Sequence, residues 1–193
     1  MQKQFTAIYR IWHWLMALSI IGLLFTVMLR KTFLSWRTNA EIIQTQLAGL
    51  GAEVTAESAK IVAKAIRAPM WEWHYIFAAV LGISIAIRLY MMISKQAELP
   101  IITFLKSSGV EKLKVGVHML LCFCIALMLI SGALVYFHES LAISKEGAHS
   151  IKEFHEFMMQ PLIILVLMHF AGVLRHELTT KEGIVSKMIH GDV

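Results

Sequence analysis

Four histidines stand in or at the ends of long apolar runs: His13, His74, His155 and His169. A polar side chain placed inside a membrane is costly and usually faces a functional interior. Their spacing is regular: His169 follows His155 by fourteen residues, and Arg88 follows His74 by fourteen. Fourteen residues of α-helix make close to four turns and rise about 21 Å, so the two members of each set point to one side at two depths. A neutral imidazole can ligate a metal, and two imidazoles facing each other suit the axial positions of a low-spin haem iron, which exchanges one electron with little rearrangement. A lone histidine of this kind reads first as a hydrogen-bonded core residue. A depth-matched set reads as ligands.

The elements that must position them are apolar helices. Uncharged runs cover Ile11 to Leu29, Val115 to Phe137 and Phe157 to Leu174, and a fourth, Trp73 to Ser94, is interrupted only by Arg88. A hydrocarbon core of about 30 Å takes roughly 20 helical residues, and lipid offers the backbone no other hydrogen-bond partner. Spans are therefore predicted at about 11–29, 73–94, 115–137 and 155–175, within one transmembrane domain covering 1–193. The stretch 30–70 lies outside the membrane and is partly helical. With four spans both termini share a side. Following the chain direction, His13 and His169 fall at one level and His74 and His155 at the other, which gives two facing pairs.

Arg88 lies on the His74 side of its helix at the depth of His13 and His169. No acidic residue interrupts a span interior, so a haem propionate is its natural partner, with snorkelling to the headgroups as the competing reading. Arg10, one turn before His13, serves either a propionate or the interface. His118 begins the third span and reads as an interfacial histidine or as a contact to quinone or propionate. His176, two turns beyond His169 on the same face, is the rival ligand. His138, His149 and His190 fall in loop or tail. Gly22, Gly82, Gly132 and Gly172, one per span, mark close helix packing or room for a flat porphyrin.

Composition fits this frame. The 193 residues are 58% hydrophobic and 16% charged, and the mean hydropathy is +0.66, away from the balance of soluble domains. A net charge of +5 that largely flanks the spans argues against nucleic acid as a partner. The first run is long, bulky and followed by Arg30 and Lys31, so it reads as its own insertion signal rather than a cleaved leader. Ten Lys and Arg lie on the side of the termini against eight opposite, six of them in the long first loop. The positive-inside rule then places both termini in the cytoplasm. Cys122 and Cys124 sit mid-span on different faces and read as small buried apolar residues. Pro161 lies inside the fourth span, where it removes one backbone hydrogen bond. In the long loop Ile43, Leu47, Leu50, Val54, Ile61 and Ala65 recur at near-helical steps, as in interfacial helices that form a docking surface or a lid.

These residues resemble a family: the b-type cytochrome subunits of membrane-bound nickel-iron hydrogenases and the related bacterial cytochrome b561 proteins. Arg10-Ile11-Trp12-His13-Trp14-Leu15, followed by Ser19 and Thr26, is similar to the first-helix signature. The two fourteen-residue spacings match as well, and Arg175-His176-Glu177 through Ser186-Lys187-Met188-Ile189-His190-Gly191 is similar to the hydrogenase-subunit terminus. Val27 stands where that first signature usually ends in glycine; the first loop is longer and the second shorter than the family pattern. The resemblance implies a subunit that takes electrons from a periplasmic hydrogenase or dehydrogenase, or from superoxide, and reduces membrane quinone.

The expectation is thus an all-α integral membrane four-helix bundle in the bacterial cytoplasmic (inner) membrane, with two haem b groups held between the helices. The iron ligands are His13, His74, His155 and His169, and Arg88 and Arg10 serve the propionates. Lipid, quinone and a periplasmic redox protein or subunit are the expected partners, and a homodimer is compatible with the reading. A stand-alone superoxide:quinone oxidoreductase is the alternative, to be recognised by a cationic funnel from residues such as Lys145 and Lys152. A non-redox membrane protein, with the histidines as packing residues, is the third.

Overall fold

A computed structural model of the chain describes residues 6–94, 99–180 and 183–191. Those residues form α-helices and connecting turns only: α1 (Ala7–Lys31), α2 (Trp36–Gly49), α3 (Ala56–Ile93), α4 (Pro100–Lys106), α5 (Gly109–Tyr136), α6 (Lys145–Thr180) and α7 (Ile184–His190). Four of them, α1, α3, α5 and α6, are long and apolar enough to cross a membrane, with mean hydropathy of 1.9 to 2.5 over their most apolar windows. The protein is all-α and built on these four. Leu18, Phe25, Phe123, Ile130, Leu167 and Phe170 are exposed on their surfaces, an arrangement that suits lipid.

The Cα framework divides into two units, Ile11–Ala86 and Met1–Arg10 with Ile87–Val193, and each is described by itself. In the first unit α1 and α3 run antiparallel. Trp12 Nε1 donates to the Ser84 carbonyl at 2.7 Å. Further along, Gly22 lies so close to the Phe77 ring that a Cβ there would come within 2.7 Å of it, and beyond that Thr26 meets His74. Arg30 and Lys31 in the last turn of α1 complement its dipole. α2 ends in a Schellman turn: Ala52 N–H bonds the Leu47 carbonyl, Gly51 N–H bonds Ala48, and Gly51 takes a φ of 77°, which suits glycine. Thr55 Oγ1 then accepts the Ser58 N–H at 3.2 Å and caps the start of α3.

α3 runs 38 residues with Pro69 inside it, about 57 Å at 1.5 Å per residue and so well beyond the thickness of a hydrocarbon core. Its first turns are held by α2 across a face of small residues. Ala40, Ala59 and Ala63 are buried there, with Trp36, Ile43 and Val54 packed around them. Val54 therefore belongs to this small core rather than to an exposed apolar strip, whereas Leu50 at the tip is 81% exposed.

In the second unit α5 and α6 pack antiparallel. Cys124 is buried with Sγ 3.9 Å from the Met158 carbonyl. Cys122 is exposed, because two residues on a helix turn the side chain about 200° away; the expectation that both cysteines are buried holds for Cys124 only. α6 continues through Pro161. At its end Glu177 Oε2 accepts the Val185 N–H at 3.2 Å and ties α7 back to α6.

Candidate haem site

His74 is half-buried on α3. Its Nδ1 lies 2.8 Å from Thr26 Oγ1, and that hydroxyl is donated at 2.7 Å to the Leu23 carbonyl one turn back on α1. A threonine hydroxyl has one proton. With that proton committed to Leu23, Oγ1 acts toward the imidazole as an acceptor, so Nδ1 carries the hydrogen and Nε2 is the lone-pair nitrogen. Fixing the tautomer through the far nitrogen is how proteins prepare a histidine for iron or zinc. Thr26 is only 3% exposed, which places this bond in a low-dielectric setting where it is strong.

The same device recurs on the other histidine of the expected pair. His155 Nδ1 lies 2.9 Å from Ser131 Oγ, and Ser131 donates its proton to the Leu127 carbonyl at 2.7 Å. Ser131 is 4% exposed. Gly132 beside it leaves room for the ring: a Cβ there would stand 3.1 Å from His155 Cε1. Leu127, Ile130, Leu134, Ile151 and Phe154 line an apolar groove that opens next to Ser131.

His169 is half-buried and meets His118 edge to face, with ring centres 4.7 Å apart and planes at 87°. His118 Nδ1 lies 2.8 Å from the Lys114 carbonyl on its own helix. His13 is half-buried, its ring 5.9 Å from that of Trp14. Arg88 is half-buried within electrostatic range of Tyr9 and Cys122. Arg10 Nη1 reaches the Ile189 carbonyl at 3.4 Å, so its guanidinium lies against the end of α7, and its buried Nε has no hydrogen-bond partner among the described residues. His13 and His74 belong to the first unit; His155, His169, Arg88 and Arg10 belong to the second. Of the remaining histidines, His138 Nδ1 lies 3.0 Å from the Val135 carbonyl and His149 pairs with Glu153 at 3.3 Å.

Sequence reading reached Thr26 only as part of a signature and missed Ser131. A serine within a span usually bonds its own preceding turn and gives no sign of a second partner. Among the described residues no three His, Cys, Asp or Glu side chains gather as a metal cage would require. A haem needs no such cage, because the porphyrin supplies four nitrogens and the chain only the axial ligands. Within each unit the chemistry suits that demand: His74 in one and His155 in the other are each held by a hydroxyl at Nδ1, which leaves Nε2 as the lone-pair nitrogen.

The family model described as prokaryotic cytochrome b561 matches residues 4–191. No curated protein and no solved structure matches the chain. A match over nearly the whole length, spanning all four apolar helices and both hydroxyl-held histidines, decides the assignment: the chain belongs to the prokaryotic cytochrome b561 family, whose members are membrane proteins that carry electrons on b-type haem.

Proposed function

We propose that this protein carries two b haems, one ligated by His13 and His169 and the other by His74 and His155. It relays electrons between a periplasmic donor, a hydrogenase or dehydrogenase, and the quinone pool of the bacterial inner membrane. Both termini lie in the cytoplasm, and the whole chain acts as one transmembrane domain. The observation that carries this reading is the repeated hydroxyl device, Thr26 on His74 and Ser131 on His155. Two imidazoles at the same expected depth are prepared in the same tautomer. The pairing itself rests on the fourteen-residue spacings and the chain direction.

When bound, haem supplies the one-electron couple. The chain's own contributions are separate. The hydroxyls orient the imidazoles and raise their basicity. The apolar side chains around Ser131 exclude water, and Arg88 and Arg10 offer positive charge to propionates on the cytoplasmic side. Leu50, at the exposed tip after α2, belongs to the surface that meets the donor.

The subunit reading is favoured over a stand-alone superoxide oxidoreductase by the charges at the start of α6. Lys152 stands 3.9 Å from Glu156, and His149 pairs with Glu153, so cations there are interleaved with carboxylates rather than gathered into a funnel. A pyridine haemochrome assay on the purified protein tests the proposal. Two haems per chain are expected, and one or none would overturn it.

A further inference from the structure

The stretch 30–69, between the apolar runs of α1 and α3, gathers charge that the haem chemistry leaves unused. It carries six Lys and Arg against three acidic residues, Glu41, Glu53 and Glu57. Three of the cations meet at one ring. The Arg37 guanidinium carbon lies 4.8 Å from the centre of the Trp36 ring, and Lys60 Nζ and Lys64 Nζ, from the facing turns of α3, each lie 5.9 Å from it. Trp36 packs against the buried Ala40, Ala59 and Ala63, so the ring is fixed and sets where the three charges stand. Lys60 is paired with Glu57 at 3.1 Å. Arg37 and Lys64 are exposed, and among the described residues neither pairs with a carboxylate. Like charges one turn apart destabilise a helix, and Lys60 and Lys64 stand so on α3. An anion set against them relieves that repulsion.

The height of the cluster along α3 decides what that anion belongs to. Arg30 meets the Trp71 ring at 5.6 Å, at the level where the uncharged runs ending at Leu29 and beginning at Trp73 give way to charge. Lys64 and Lys60 lie seven and eleven residues back from Trp71 on the same helix, about 10 Å and about 16 Å at 1.5 Å per residue. The headgroup layer outside the hydrocarbon is only about 5–7 Å deep. The cations thus stand in water beyond the headgroups, within reach of a second protein. We propose that Arg37, Lys60 and Lys64, gathered on Trp36, form a docking site for carboxylates on an acidic face of a partner protein. That this partner is the electron donor rests on the function proposed above. Cations already held on a ring lose little freedom on binding, and a cluster of one sign steers an oppositely charged partner at encounter.

The experiment measures binding of a dye-labelled decaglutamate peptide to the purified full-length protein in phosphatidylcholine nanodiscs, with haem content determined for each sample. It compares the unmodified chain with Arg37→Gln/Lys64→Gln, with Trp36→Leu, and with Lys106→Gln/Lys112→Gln, which removes equal charge from the second unit. Affinity is expected to fall about tenfold in the Arg37→Gln/Lys64→Gln protein, to fall severalfold in Trp36→Leu with every charge kept, to stay unchanged in Lys106→Gln/Lys112→Gln, and to weaken as salt rises. Equal affinity in all four proteins, or an equal loss in both double variants, would show unspecific attraction and overturn the site. The lipid alternative is read from the phosphatidylglycerol that the detergent-solubilised protein retains in native mass spectrometry. Less retained lipid in Arg37→Gln/Lys64→Gln, with peptide affinity unmoved, would assign the cations to headgroups and overturn the proposal. Absence of haem from the unmodified protein would overturn the electron-transfer reading, while the peptide affinities alone decide the docking site.

Discussion

Ser131 Oγ and His155 Nδ1 are 2.9 Å apart, and the serine proton is spent on the Leu127 carbonyl rather than on the imidazole. Thr26 and His74 repeat the relationship with Leu23 in place of Leu127. In both cases a buried hydroxyl bonds back into its own helix and accepts a hydrogen from a histidine on the antiparallel neighbour. Nothing in helix packing alone requires such a bond twice. A ligand that must present Nε2 in a set orientation does require it, since a ring free to rotate or to change tautomer would disperse the metal's potential.

Removing either hydroxyl therefore acts on potential as well as on stability. Ser131→Ala and Thr26→Val each take from an imidazole its hydroxyl acceptor, at a cost of about 0.5–1.5 kcal/mol, the lower end at His155, where the Met128 carbonyl remains as a partner. A less basic imidazole stabilises ferric iron less, so the midpoint potential of the haem that it ligates rises. Because His74 and His155 are proposed to share one haem, both variants are expected to raise the same midpoint. Shifts in two different haems, resolved by redox titration, would break the pairing while leaving the ligands in place.

Two glycines set the clearance around these helices. At Gly132 an added Cβ would press on His155 Cε1 at 3.1 Å, and at Gly22 it would meet the Phe77 ring at 2.7 Å. Gly22→Ala forces the α1–α3 pair apart and is expected to cost about 1–3 kcal/mol, as overpacking does. It should lower the thermal midpoint without a selective effect on one haem. Gly132→Ala instead tilts the His155 ring, proposed as a haem ligand, and the electron paramagnetic resonance g-values of a single haem should change. A uniform loss of both signals would count against that local effect.

The four apolar helices are legible in the sequence because about twenty uncharged residues in lipid leave the backbone no alternative. The histidine positions are legible because a polar residue in such a run stands out. What the sequence hides is set by contacts that carry no periodic signal. The loop is expected to reach about residue 70, yet α3 runs from Ala56 through Pro69 into the apolar run as one helix. Val54 reads as an exposed apolar position and proves to be packed, since Ala40, Ala59 and Ala63 bring the two helices close enough to enclose it. Ser131 is indistinguishable in sequence from any helix serine that bonds its own turn. The His118–His169 contact depends on the relative rotation of α5 and α6, which spacing within one helix does not fix.

The alanine face gives a third expectation. Ala63 is 0% exposed against α2, so Ala63→Leu inserts three carbons where there is no room, and a cost of about 1–3 kcal/mol follows. The strain is relieved most simply by detaching α2. Limited proteolysis should then cut between residues 36 and 55 at a higher rate, with haem content unchanged. Proteolysis at the parent rate would show that α2 is held by something other than this face.

The last expectation concerns Arg88. It follows His74 by four turns on α3, is half-buried, and lies within electrostatic range of Tyr9 and Cys122, side chains that are neutral in their ordinary state. A fixed positive charge beside a haem favours the ferrous form, which carries one electron more. Arg88→Gln should accordingly lower the midpoint of the haem proposed for His13 and His169 while leaving the other nearly unmoved. Arg88→Lys should do less, because it keeps the charge and loses the planar fork. A redox titration in which Arg88→Gln shifts both haems equally, or neither, would remove Arg88 from the propionate and return it to the headgroups.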